Sequence, residues 1–181
     1  QDPYPQSGAE IAFAGRSNAG KSRAINALVG QRQLAFVSKK PGRTQMINFF
    51  SLGEHRFLVD LPGYGFATAP GKIRSQWNRL LGTYLRHREA LKGIALVMDV
   101  RHPFTDLDLQ LIDYFHQTAK PVHVLLTKAD KLSQAQAGPV LREAAKTLAR
   151  LSPLHSVQLF SSLKRTGIDA AEAVFSRWLG V

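Results

Sequence analysis

The feature that most restricts the fold is a glycine-rich stretch set between a short apolar run and an amphipathic one. Gly15-Arg16-Ser17-Asn18-Ala19-Gly20-Lys21-Ser22 fits G-x-x-x-x-G-K-[ST]. It follows the apolar run 11–14 and opens a helical pattern in which Ile25, Leu28 and Val29 share a face. Glycines let the backbone wrap closely with its N–H groups turned inward. The start of the helix adds the positive end of its dipole. Lys21 supplies a point charge for the outer phosphates, and the Ser22 hydroxyl suits Mg²⁺. The bland alternative is a glycine turn with an incidental Lys-Ser pair. The strand before it and the helix after it favour a phosphate-binding loop.

The rest of the chain alternates between strand and helix periods. Apolar runs at 11–14, 46–52, 57–61, 94–98, 122–126 and 157–160 have strand length, and 94–98 and 122–126 have almost no polar alternation. Central parallel strands covered on both faces read this way. Ile73, Trp77, Leu80, Leu81, Tyr84 and Leu85 recur at helical spacing. Leu107, Leu111, Tyr114 and Phe115 form a stripe behind Thr105, a candidate N-cap. Leu141, Ala144, Ala145 and Leu148 follow Ser133 and Gln136, which have capping-box spacing. Val174, Phe175, Trp178 and Leu179 supply a last helix. The expected fold is α/β, a three-layer domain with a mostly parallel six-stranded sheet, one antiparallel edge strand and helices on both faces. The antiparallel pair is 46–52 with 57–61, because Gly53-Glu54-His55-Arg56 is too short for a parallel crossover.

A length of 181 residues suits one domain. Residues 1–9 read as an N-terminal loop and 10–181 as a single domain. There is no Cys, which excludes a disulfide framework, a thiol nucleophile and Cys-based metal sites, and fits a cytoplasmic setting. No apolar run reaches membrane-spanning length, so no membrane partner is expected. The six His fall outside any metal-ligand spacing. The net charge of +11 points to a polyanionic partner. Along the helix expected around 73–85, Lys72, Arg79 and Arg86 are spaced by seven and fall on one stripe, and Arg74 and Arg88 add charge to the same helix. Such a stripe is either a solvated face or an RNA-facing surface.

Two further motifs select the base. Thr127-Lys128-Ala129-Asp130 ends a strand and matches [NT]-K-x-D. Asp130 is suited to accept from the N1–H and 2-amino groups of guanine, a donor pair adenine lacks. The stem of Lys128 can cover one face of the base. Phe160, Ser161 and Ser162 end the last strand, where a loop can offer backbone N–H groups to the base. Asp60-Leu61-Pro62-Gly63 also ends a strand: its carboxylate suits Mg²⁺ held through water, and the Gly63 N–H suits the γ-phosphate. Gly42, Arg43, Thr44 and Gln45 lie between the first helix and the hairpin, and Met46 opens the hairpin run, with Thr44 the candidate to complete the Mg²⁺ and γ-phosphate shell. The metal set is thus Ser22, Thr44 and Asp60, and Lys21, Thr44 and Gly63 are the residues placed at the reacting phosphate.

These segments, in this order, resemble the GTPase family of P-loop proteins. More closely, GRSNAGKS, KPGRTQ, DLPGYG, DVRHP, LLTKADKL and FSSLK resemble the bacterial EngB family, also called YihA or YsxC, over residues 10–179. The resemblance implies a G domain of the Era-like branch that binds GTP and GDP with Mg²⁺ and acts in assembly of the large ribosomal subunit. It also implies a need for the protein in normal cell division and septation. A monomer is the expected state. Many GTPases carry Gln after D-x-x-G to orient water, but Tyr64 stands there, so intrinsic hydrolysis is expected to be slow. In related Era-like proteins the loop Asn is a ligand for a monovalent cation. Asn18 matches it, which makes K⁺ a candidate cofactor; bracing of the loop is the alternative. Two other functions compete with a hydrolysing switch. One is a GTP-dependent RNA- or ribosome-binding module with negligible hydrolysis. The other is a nucleotide kinase, which Thr127-Lys128-Ala129-Asp130 opposes.

Overall fold

The computed structural model describes residues 7–16, 18–30, 35–39, 47–63, 75 and 84–181, with 35–39 described through their backbone. The strands are β1 (Ala9–Gly15), β2 (Ala35–Lys39), β3 (Asn48–Gly53), β4 (Arg56–Asp60), β5 (Leu91–Asp99), β6 (Val122–Thr127) and β7 (Ser156–Leu159). The helices are α1 (Lys21–Val29), α2 (Asp106–His116), α3 (Gln134–Leu151) and α4 (Ile168–Leu179), with a 3₁₀ turn at Ala129–Lys131. Ser75 and residues 84–87 are also helical, and the rest of the helix expected over 73–85 lies outside the described residues.

One sheet runs β2-β3-β4-β1-β5-β6-β7. All six expected strands are in it. The strands from β4 to β7 pair in parallel, and β3 pairs antiparallel with β4 through the expected hairpin. β2 is a seventh strand, antiparallel to β3 at the edge, so β3 is one place in from that edge. Its sequence, Ala-Phe-Val-Ser-Lys, is too short and too polar at its end to stand out as an apolar run. Glu54 (φ 52°) and His55 (φ 60°) both take the left-handed conformation in the hairpin turn. That is the primed turn geometry that matches strand twist.

Side-chain alternation divides the core. Ile11, Phe13, Leu58, Ala95, Val97 and Leu125 pack against α1 and α4. Ala12, Val59, Ile94, Leu96, Val124 and Leu126 face the other way, onto Tyr84, Leu85, α2 and α3. Period-two alternation on strands that are buried throughout is what puts a helical layer on each face. Both capping motifs form: Thr105 and Asp108 exchange hydrogen bonds at the start of α2, as Ser133 and Gln136 do at the start of α3.

One charged group sits inside the core. Glu10, on β1, has no exposed surface. It accepts from Arg88 (Nε to Oε1 2.9 Å, Nη2 to Oε2 2.7 Å) and from the Tyr84 hydroxyl at 2.9 Å. Lys120 Nζ donates to the Arg88 and Leu91 carbonyls at 2.8 and 2.7 Å. This network pins the end of the 84–87 helix to β1, at the end of the sheet away from the glycine-rich loop.

Candidate functional site

Because β1, β4, β5, β6 and β7 run in the same direction, their carboxyl ends share one edge of the sheet. Ligand sites of open α/β sheets form at that edge. Gly15 and its loop, Asp60, Asp99, Thr127 to Asp130 and Phe160 to Ser162 all arrive there. A cavity of about 710 Å³ opens at the base-loop part of this edge, lined in part by Gly20, Arg101, Thr127, Lys128, Asp130 and Ser162 together with residues of α1.

The glycine-rich loop needs its glycines for space and conformation. A Cβ on Gly15 would sit 2.2 Å from Val97 Cγ2, so only hydrogen fits against β5. Gly20, at φ 86°, takes the left-handed conformation that starts α1 without a side-chain cap. The Arg16 carbonyl accepts from the Ala19 N–H at 3.0 Å, and the Gly20 carbonyl from the Ala24 N–H at 2.9 Å. Asn18 and Ser22 are exposed on the loop and on the first turn of α1. Lys21 donates both to Asp60 Oδ1 and to the Leu61 carbonyl. The Leu61 N–H in turn donates to the Phe13 carbonyl at 3.0 Å, which holds the end of β4 against β1. Pro62 and the exposed Gly63 follow.

The base loop is tied to the phosphate loop at two points. Thr127 Oγ1 donates to the Ala19 carbonyl, and Lys128 Nζ donates to the Asn18 carbonyl at 2.8 Å. Lys128 itself is left-handed at φ 59°, which turns the chain into the 3₁₀ segment carrying Asp130. The buried Phe160 joins the last strand to this loop: its N–H donates to the Leu126 carbonyl at 2.9 Å and its carbonyl accepts from Ala129 at 3.1 Å. Ser161 donates its hydroxyl to Asp130 Oδ1 at 2.8 Å, and this bond holds the Asp130 carboxyl below the usual carboxylate range. The Ser161 N–H was a candidate donor to the base, but it is given to the Thr166 carbonyl at 3.0 Å. It is therefore the hydroxyl of Ser161 that serves the base loop.

The structure thus gathers Gly15, Arg16, Asn18, Ala19, Gly20, Lys21, Ser22, Asp60, Leu61, Pro62, Gly63, Thr127, Lys128, Ala129, Asp130, Phe160, Ser161 and Ser162 at one edge of the sheet. Ser17, Gly42, Arg43, Thr44, Gln45, Met46 and Tyr64 lie outside the described residues, as do Lys72, Arg74 and Arg79. Sequence reasoning gave no role to Asp99 and Arg101, although both reach the site. Asp99 receives Arg101 on both oxygens, at 3.0 and 2.8 Å. Burial pushes the Asp99 carboxyl up, but the Arg101 hydrogen bonds and the charges of Arg101 and Lys128 outweigh it and hold the group at about 2. The available signal was an Asp-x-Arg directly after an apolar strand. Among the described residues, no cluster of three or more His, Cys, Asp or Glu could hold a metal ion. The oxygen donors that fit Mg²⁺ are the exposed Ser22 hydroxyl and the Asp60 carboxylate beside Lys21.

A glycine-rich phosphate loop joined through Thr127 and Lys128 to a guanine-type base loop, at the carboxyl edge of this sheet, defines a P-loop GTPase domain. The family model described as 50S ribosome-binding GTPase matches residues 10–128. The probable GTP-binding protein EngB of Nitrosomonas europaea is 58% identical over 178 residues, covering 98% of this chain and 80% of its own length. That of Azoarcus sp. is 60% identical over 176 residues, covering 97% of this chain and 84% of its own. The chain belongs to the EngB family of GTP-binding proteins. Solved structures share the fold. A probable GTP-binding protein engB superposes with a TM-score of 0.70 at 21% identity, covering 96% of this chain and all of its own (100%). The G domain of the Thermotoga maritima FeoB iron transporter gives 0.60 at 24% identity, covering 94% of this chain and 98% of its own.

Proposed function

We propose that the chain is a GTP-hydrolysing switch that takes GTP to GDP and phosphate and acts in assembly of the large ribosomal subunit. The observation that carries the reading is the double tie between base loop and phosphate loop, Thr127 to Ala19 and Lys128 to Asn18. It sets the distance between a base on Asp130 and phosphates on the Lys21 loop, so that one nucleotide is read at both ends. Asp130, with one oxygen already bonded to Ser161, presents its remaining lone pairs to the N1–H and 2-amino groups of guanine. The stem of Lys128 covers a face of the base.

Lys21 is held by Asp60 and the Leu61 carbonyl; phosphate oxygens in the loop would compete for its ammonium and leave the Asp60 carboxylate available to a metal. Ser22, Thr44 and Asp60 would hold Mg²⁺, which when bound neutralises charge on the phosphate oxygens. The Gly63 N–H and Thr44 read the γ-phosphate, so 38–45 and 62–72 are the segments that change with the nucleotide. With Tyr64 in place of Gln, water is poorly oriented and hydrolysis is slow; a partner, or a K⁺ that Asn18 would help hold, would supply the missing positive charge. The +11 net charge supports an RNA-rich partner. The 50S ribosome-binding description of the matching family supports a ribosomal particle as that partner. A role in cell division and septation, on the resemblance of the motifs, and a cytoplasmic monomer complete the reading.

The test is Asp130→Asn. The amide donates where xanthine has an acceptor, so the variant is expected to lose GTP and to gain xanthosine triphosphate, both measured by equilibrium binding. Unchanged affinity for GTP refutes the assignment of the base site. Co-sedimentation with ribosomal subunits in GTP, GDP and a non-hydrolysable analogue tests the partner.

A further inference from the structure

The end of β5 carries a charge cluster that the nucleotide motifs leave unused. β5 lies between β1, which leads into the phosphate loop, and β6, which leads into the base loop. Its last residue, Asp99, takes the guanidinium of Arg101 on both oxygens and the Arg101 N–H on Oδ1 at 2.9 Å. Lys128 Nζ lies 3.4 Å from Oδ2 while donating to the Asn18 carbonyl. The Asp99 side chain is 15% exposed, against 31% for Lys128 and 42% for Arg101, so the anion is the inner member of the cluster.

The geometry points to Asp99 as a positioning residue of the nucleotide site, which holds the Lys128 ammonium against the phosphate loop so that the lysine stem forms the wall of the base cleft. This rests on the reading of the cleft as a guanine-nucleotide site. A lysine has a long flexible stem and a strongly hydrated head. The Asn18 carbonyl offers that head one neutral acceptor. A fixed anion beside the same point makes the contact charge-assisted, which is stronger. Arg101 braces the carboxylate in a two-pronged contact, and this fixes the direction in which Oδ2 meets the ammonium. Without the negative charge the lysine head gains more from water, and the stem leaves the face of the base. The plain alternative is a turn: Oδ1 accepting the Arg101 N–H closes a short loop after β5.

Asp99→Asn separates the two, because the amide oxygen still accepts the Arg101 N–H while the anion is gone. The measurement is release of a fluorescent GDP analogue from the full chain by stopped flow, with Lys128→Met and the double variant alongside. Asp99→Asn is expected to speed release about twofold to fivefold, the effect of one lost, partly exposed ion pair. Since Asp99 acts through Lys128, the double variant is expected to release no faster than the faster single variant. Wild-type release from Asp99→Asn overturns the proposal, as does a double variant whose acceleration is the product of the two singles. A lowered melting temperature with unchanged release also overturns it, in favour of the turn. If Asp99→Asn does not fold, Asp99→Ser keeps an oxygen for the turn and carries the same expectations. Asp130→Asn run in parallel distinguishes the two readings: if it does not shift selectivity towards xanthosine diphosphate, the base site itself is wrong. If it does while Asp99→Asn releases normally, only the role of Asp99 falls.

Discussion

Removing Arg88 tests whether the buried charge network is structural. Glu10 is fully buried and the Arg88 side chain is 8% exposed, so this pair lies in the core. In Arg88→Met the carboxylate keeps the Tyr84 hydroxyl at 2.9 Å and the Ser7 hydroxyl but loses its cation. Breaking a buried pair from one side costs about 3–5 kcal/mol, because an uncompensated charge remains. For a domain of this size each kcal/mol moves the melting temperature by roughly 2–4 °C, so a fall of about 6–20 °C is expected. In Glu10→Gln/Arg88→Met both charges are gone and the amide oxygen still accepts from Tyr84. That double variant is expected to recover about 2 kcal/mol of the loss. Urea unfolding at constant m-value measures both. A loss below about 1 kcal/mol in Arg88→Met, or a double variant less stable than Arg88→Met, refutes the reasoning.

Three further outcomes are expected. Burial depresses His123 below its ordinary value of 6.5, against the opposing Gln158 hydrogen bond, and burial and His116 depress His155. The unfolded chain then binds protons that the folded one refuses, so stability is full above pH 6.5 and declines as pH falls below it. The slope is at most about 1.4 kcal/mol per pH unit for each histidine. His123→Gln is expected to flatten that slope in unfolding measured between pH 7.5 and 5.5 (about one unit either side of the ordinary value), and an unchanged slope counts against it. His55→Gly relieves a left-handed residue at φ 60° in the hairpin turn and is expected to raise stability by about 1 kcal/mol in the same urea assay. GTP turnover is expected to be faster in K⁺ than in Na⁺ at equal ionic strength and to lose that difference in Asn18→Ala. Equal wild-type rates in both salts, with and without ribosomal particles, leave Asn18 a loop-bracing residue.

Much of this protein was legible in the chain because the signals are local. The glycine-rich motif from Gly15 to Ser22 is contiguous and runs into one helix start, so a spacing rule captures it. The same holds for the Thr105 cap and for Ser133 with Gln136, three residues apart, whereas the return bond from Asp108 to Thr105 emerged only in the structure. The hairpin followed from a link too short to do anything else. β2 escaped because its place in the sheet comes from pairing with β3 and not from its own apolarity. The ion pair of Glu10 with Arg88, 78 residues apart, and the tie of Asp99 to Lys128 were invisible, since no local pattern relates residues so far apart in the chain. Even the contact of Lys21 with Asp60 joins two motifs that each read alone. The sequence by itself determined which segments carry the glycine-rich, [NT]-K-x-D and D-x-x-G motifs. The tertiary structure decided which charges meet, because partners for a charge are set by where the parallel strands end, and strand order is a property of the whole sheet.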